Sequence, residues 1–211
     1  MTKIFENGVF KKPLYHGTTS LFIDSIKDYG LGGKSLVEEW NLISIYRALF
    51  DLADKKFAGV DFWLKVKEKA SYIAYQKNSA DELNYNFRHG SVYLTLDRDM
   101  ADQYANIMEG SEILQFTKGI AMLLIKKGAR EEVKKILPMK IAVILSKHYQ
   151  PVLLKLNSVN LVDVEPENDI DKDHLISLWE KFYATGAKDK ELTSWRLKNP
   201  VPWERIEWIT Y

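Results

Sequence analysis

The chain has 211 residues, 46% of them hydrophobic, with thirty basic against twenty-nine acidic side chains and no cysteine. That length and apolar content suffice for one domain with a sizeable core. The absence of cysteine excludes disulfides, thiolate metal sites and a cysteine nucleophile, and a formal charge of +1 removes any global electrostatic drive toward nucleic acid or anionic lipid.

Met1 to Lys12 has no apolar segment of signal-peptide length, so a soluble cytoplasmic protein is the expectation. Residues 9–15 read as a short strand interrupted by Pro13, which suits an edge or entry position. In Leu14-Tyr15-His16-Gly17-Thr18-Thr19 an apolar run breaks at a His-Gly-Thr turn, an arrangement suited to hold a polar ligand. The glycine lets backbone pass close to a bound group, and the threonines offer hydroxyls and a helix cap. Phe22, Ile23, Ile26 and Tyr29 then predict a helix over about 20–29, with Gly30 as a left-handed C-cap.

Ser35 to Glu38 has the capping-box pattern, and Trp40, Ile43, Tyr46, Leu49, Phe50 and Ala53 extend it into one continuous helix of about five turns. Asp61 is placed to cap another, with Trp63, Val66, Ala70 and Ile73 on one face. These aromatic stripes read as core, and the helices at about 35–78 as an insertion into a single domain spanning 1–211. Residues 78–90 are polar and turn-rich.

Gly90 to Leu96 alternates as a strand, and Asp97 caps a helix carrying Met100, Ala101, Tyr104, Ala105 and Met108. The eleven positions between Tyr93 and Tyr104 cover a turn and about two helical turns, so both rings can face one pocket where strand meets helix. Taken alone, the two are ordinary amphipathic tyrosines.

Residues 111–125 read as helix or strand, and their aliphatic run Ile120 to Ile125 is too short to cross a bilayer. Glu131 to Leu137 reads as a helix ended by Pro138, and the basic residues of 126–140, interleaved with Glu131 and Glu132, as a solvated helix face. Ile141–Leu145, Val152–Leu156 and Val159–Val164 are strand candidates. Asp169 or Asp171 caps a helix that buries Leu175, Leu178, Trp179 and Phe182 and stops at Gly186. Leu192–Leu197 and Ile206–Thr210 close the chain as strands around Asn199-Pro200-Val201-Pro202.

Three stretches coincide in order with one family. His16-Gly17-Thr18, Gly90-Ser91-Val92-Tyr93, and Tyr104 within Ala101-Asp102-Gln103-Tyr104-Ala105 resemble the motifs of ADP-ribosyltransferases of the diphtheria-toxin and poly(ADP-ribose) polymerase type. The ending Val201-Pro202-Trp203-Glu204-Arg205-Ile206 is similar to the closing turn of several bacterial members, the DarT-type enzymes that modify DNA among them. The resemblance frames nearly the whole chain but is specific over only about thirty residues, and it leaves 35–78 and 111–150 unaccounted for.

It implies an α+β fold with the split β-sheet core of that family and a helical insertion, and NAD as co-substrate with no metal. By the same carry-over, His16 holds a ribose hydroxyl, the Gly17 backbone grips the nicotinamide carboxamide and Thr18 contacts the adenosine side. Tyr93 and Tyr104 sandwich the nicotinamide ring, a planar cation suited to aromatic faces. The implied activity is transfer of ADP-ribose to a macromolecule, nucleic acid slightly favoured over protein, in a toxin or defence effector with an antitoxin or inhibitor protein as a partner. Cleaving the nicotinamide bond passes through an oxocarbenium-like state, so negative charge belongs close by. The family's glutamate for that task falls, by the spacing back from Val201-Pro202, on Ser194. Glu191, three residues earlier, is the carboxylate expected to take over through a bulge or an earlier turn. Two other readings stand beside this one: an RNA 2'-phosphotransferase, disfavoured because His16 has no arginine near it in sequence, and a binding module that kept the fold and lost the chemistry.

Overall fold

The computed structural model describes residues 3–77, 89–108, 110–189 and 191–209. In chain order the elements are β1 Phe5–Glu6, β2 Val9–Phe10, β3 Leu14–Thr19, α1 Ser20–Tyr29, α2 Leu36–Glu39, α3 Leu42–Lys56 and α4 Asp61–Tyr75. They continue with β4 Tyr93–Leu94, α5 Arg98–Ile107, α6 Glu112–Lys126, α7 Arg130–Ile136, α8 Met139–Ser146, β5 Pro151–Leu156 and β6 Val164–Pro166. The last are α9 Lys172–Thr185, β7 Trp195–Leu197 and β8 Ile206–Ile209, with 3-10 turns at Leu161–Asp163, Glu167–Asp169 and Trp203–Arg205. The chain is thus α+β, and it divides into one unit of residues 1–34, 91–110 and 149–211 and a second of 35–90 and 111–148. Among the described residues no helix is long and apolar enough to cross a membrane.

In the first unit, β3, β5 and β8 form one antiparallel sheet in that order, and β4, β7 and β6 form another. The sheets meet where Tyr15 and Thr95 exchange both backbone hydrogen bonds, at 2.7 and 2.9 Å. Period-two alternation puts Leu14, Leu154 and Leu156 on one face of the first sheet and Leu94 and Trp195 on one face of the second, and all five belong to the same buried core. Trp179 of α9 completes that core, its indole N–H donating to the Thr193 carbonyl at 3.1 Å.

The second unit is helical. Leu49 and Ala53 of α3, Trp63 of α4, Leu124 of α6 and Val133 of α7 are all buried, and α3 packs on the other three helices. The segment expected as an insertion at about 35–78 therefore supplies half of a helical unit, and residues 111–148 supply the rest.

Several elements differ from the sequence reading, each for a local reason. The His-Gly-Thr stretch is no turn: β3 begins after Pro13 and runs straight through it, and Thr19 occupies the cap of α1 without a side-chain capping bond. Gly30 has φ 78° but ψ 162°, outside the left-handed helical cap; a Cβ there would lie 2.8 Å from the Val201 carbonyl oxygen, so the Leu31–Val201 bridge dictates the glycine. The helix expected to run on from Ser35 breaks at Asn41, whose φ of 52° is left-handed, a conformation asparagine tolerates. Asp61 is the first residue of α4, and Val60 holds the cap position. Residues 141–145 are helical, since α8 starts directly after Pro138 and a short apolar run fits either period. Of 159–164 only Val164 enters a strand, because Leu161–Asp163 tightens into a 3-10 turn first.

His89 provides a pH test of the second unit. Burial holds its imidazole down from 6.5 to about 4. Between those two values the unfolded chain takes up a proton that the folded chain refuses, so stability falls on acidification through that window and is fully retained above it. The loss amounts to about 3 kcal/mol by pH 4. Denaturant melts at pH 7 and 4.5 should show a smaller acid loss in His89→Gln than in the parent chain; equal losses would contradict the assignment.

Candidate functional site

β3 and α5 touch through small residues. Gly17 lies beneath α5, where an added Cβ would stand 1.9 Å from the Ala101 carbonyl oxygen and 2.9 Å from the Ala105 nitrogen. Ala101 and Ala105 are themselves buried, so glycine and alanine are what lets the helix descend onto the strand. The helix starts where the sequence places it, with an Asp97 carboxylate oxygen accepting from the Asp99 and Met100 amides at 3.0 and 3.2 Å. The other oxygen of this buried carboxylate pairs with Lys188 at 2.5 Å.

The first two motifs meet directly. His16 Nδ1 lies 2.9 Å from the Tyr93 carbonyl oxygen, across 77 positions of sequence. Burial keeps the ring below its ordinary pKa, with the bond to Tyr93 opposing, so the imidazole is neutral at pH 7. A carbonyl only accepts, so Nδ1 carries the proton and Nε2 keeps its lone pair. Nε2 is thereby left as an acceptor. No protein-family model, curated protein or solved structure matches the chain.

The register of the second sheet sorts the remaining residues. Leu94 and Trp195 sit opposite one another on the core face, which puts Tyr93, Arg196 and Glu165 in one row on the other face, where Arg196 and Glu165 form an ion pair. Ser194 shares that face by alternation, and its carbonyl accepts the Glu167 amide at 3.0 Å. Tyr104 is half-buried on α5, one residue before Ala105. The structure thus brings His16 onto Tyr93 and Gly17 under the helix that carries Tyr104. Thr18 is 2% exposed, enclosed within the unit where adenosine contact would require an open hydroxyl.

Glu191 lies elsewhere. Its carboxylate pairs with His174 of α9 at 2.8 Å, its amide donates to Asp189 at 3.1 Å, and its side chain is 54% exposed. These bonds tie it to the solvent side of α9, away from any bond with His16 or Tyr93. What sequence reasoning missed is the polar face of the second sheet, with Arg196 and Glu165 paired on it. The alternation Ser194-Trp195-Arg196 was a signal for the first, whereas the placement of Glu165 depends on how β6 pairs with β7.

A shallow depression of about 220 Å³ lies at the N-terminus of α5, lined by Tyr15, Leu96, Asp97, Arg98, Asp99, Phe182 and Tyr183. It contains none of His16, Tyr93 or Tyr104. Among the described residues no cluster of three or more His, Cys, Asp or Glu side chains is arranged to hold a metal ion.

Proposed function

We propose that the chain is an NAD-dependent ADP-ribosyltransferase whose first unit binds NAD with His16, Gly17, Tyr93 and Tyr104. The observation that supports this most is the 2.9 Å bond from His16 to the Tyr93 carbonyl, which unites two motifs far apart in sequence and leaves Nε2 as an acceptor. In this reading Nε2 accepts from a ribose hydroxyl, and the rings of Tyr93 and Tyr104 hold the nicotinamide. Thr18 is buried support for the wall. The split core of the ADP-ribosyltransferase family is the finer fold reading, favoured by two three-stranded sheets that join at the Tyr15–Thr95 bridge.

The reaction breaks the bond between ribose C1' and the nicotinamide nitrogen, which keeps the electron pair. An acceptor oxygen or nitrogen bonds to C1' and its proton passes to solvent. The acceptor is a macromolecule, with nucleic acid favoured by the closing turn Val201 to Ile206. Incubation with labelled NAD and separate protein, DNA and RNA pools should label one pool, and His16→Ala should abolish that label; label in none would contradict the reading.

One observation favours a second reading, a module that binds NAD or a partner without turnover: Ser194 is uncharged and Glu191 is engaged with His174. Such a module would bind NAD and release no nicotinamide.

A further inference from the structure

We infer that Lys188 is a positioning residue for the NAD site: through the buried carboxylate of Asp97 it holds α5, the helix that carries Tyr104. The role presupposes the ADP-ribosyltransferase reading. Asp97 stands at the corner between β4 and α5, where its amide donates to the Thr95 hydroxyl at 3.0 Å. One carboxylate oxygen caps α5 by accepting from the Asp99 and Met100 amides. The second accepts no directed hydrogen bond, and among the described residues the Lys188 ammonium, 2.5 Å away, is what balances its charge. The Asp97 side chain is 6% exposed and that of Lys188 57%. A carboxylate so far removed from water is tolerated only with a counter-charge at hand. Without one, the corner must open until water reaches the oxygen, and the cap bonds open with it.

Lys188 follows closely on α9, which ends at the left-handed Gly186. Tyr183, in the last turn of that helix, donates its hydroxyl to the Leu96 carbonyl at 2.9 Å, and the Lys188 ammonium lies 5.9 Å from the centre of the Phe182 ring. The end of α9 therefore grips Leu96 and Asp97, the two residues from which α5 starts. Before the corner, Tyr93 is fixed independently, by its pairing with Arg196 and by its bond with His16. Beyond it, Tyr104 lies seven positions from Asp97, about two helical turns, and follows the helix. A freed corner thus shifts one of the two rings that hold the nicotinamide and leaves the other in place. Lys188 needs no contact with NAD to do this.

Loss of the Lys188 charge lowers the fraction of the chain ready to bind, so NAD affinity falls by that fraction while turnover at saturating NAD does not. Lys188→Met should weaken NAD binding about tenfold by calorimetry, raise the KM for nicotinamide release to match and keep kcat within about twofold. Hydrogen exchange at the Asp99 and Met100 amides should quicken by about tenfold, with circular dichroism unchanged. Lys188→Arg keeps the charge and should restore binding and exchange to within about twofold of the parent. Asparagine caps a helix as well as aspartate does but needs no counter-charge, so Lys188→Met should change nothing further in an Asp97→Asn background. Unchanged exchange in Lys188→Met, or the same loss in the Asp97→Asn background, would overturn the inference and leave the transferase reading standing. A parent chain that binds no NAD would overturn both.

Discussion

Gly17→Ala should destabilise the first unit by about 3 kcal/mol or more. The added methyl would stand 1.9 Å from the Ala101 carbonyl oxygen and 2.9 Å from the Ala105 nitrogen, and both are backbone atoms that no rotamer change can move aside. Relief requires α5 to lift from β3, which uncovers Ala101, Ala105 and the strand beneath. Gly119→Ala in α6 is the matched control, because its methyl would meet nothing within 4 Å and helix propensity favours alanine by about 1 kcal/mol. Denaturant midpoints should fall sharply for the first variant and hold or rise for the second; an unchanged midpoint for Gly17→Ala would show that the packing of β3 against α5 is looser than described. Loss of activity in a Gly17 variant consequently says nothing by itself about contact with NAD.

Tyr93→Ala should separate binding from folding. The strand bonds of Tyr93 and the carbonyl that holds His16 belong to its backbone and survive the substitution, while its half-buried ring faces away from Leu94 and Trp195. Removing an aromatic face from a planar cation should weaken NAD binding by about tenfold or more. The thermal midpoint should move little. Calorimetry showing equal NAD affinity in the variant and parent would contradict the placement of nicotinamide at this ring.

Local signals in the sequence carried far. The helix over Ser20–Tyr29, the Asp97 cap of α5 and the left-handed Gly186 closing α9 each depend on residues within a few positions, and each stands where periodicity and capping put it. Residues 141–145 differ for the same local reason, since a run of five apolar residues ahead of Ser146 fits a strand as well as a helix. The His-Gly-Thr stretch reads as a turn in the sequence but is strand: Gly17 is required by the helix above it, and that helix lies more than eighty positions away. The face occupied by Ser194 could be counted from the closing turn. Its neighbour Glu167 could not, because strand register between distant segments leaves no trace in spacing. Glu191 was chosen for its charge and nearness in sequence, and the pull of His174 decides its position instead.

On the proposed function the chain cleaves NAD through the site at His16. Chromatography of an NAD incubation, with nicotinamide quantified against time for the parent chain and for His16→Ala, tests it most directly. The parent should release nicotinamide steadily, at a rate rising with enzyme concentration, and the variant should lose about 100-fold or more. Equal release by both proteins, or none by the parent, would contradict it.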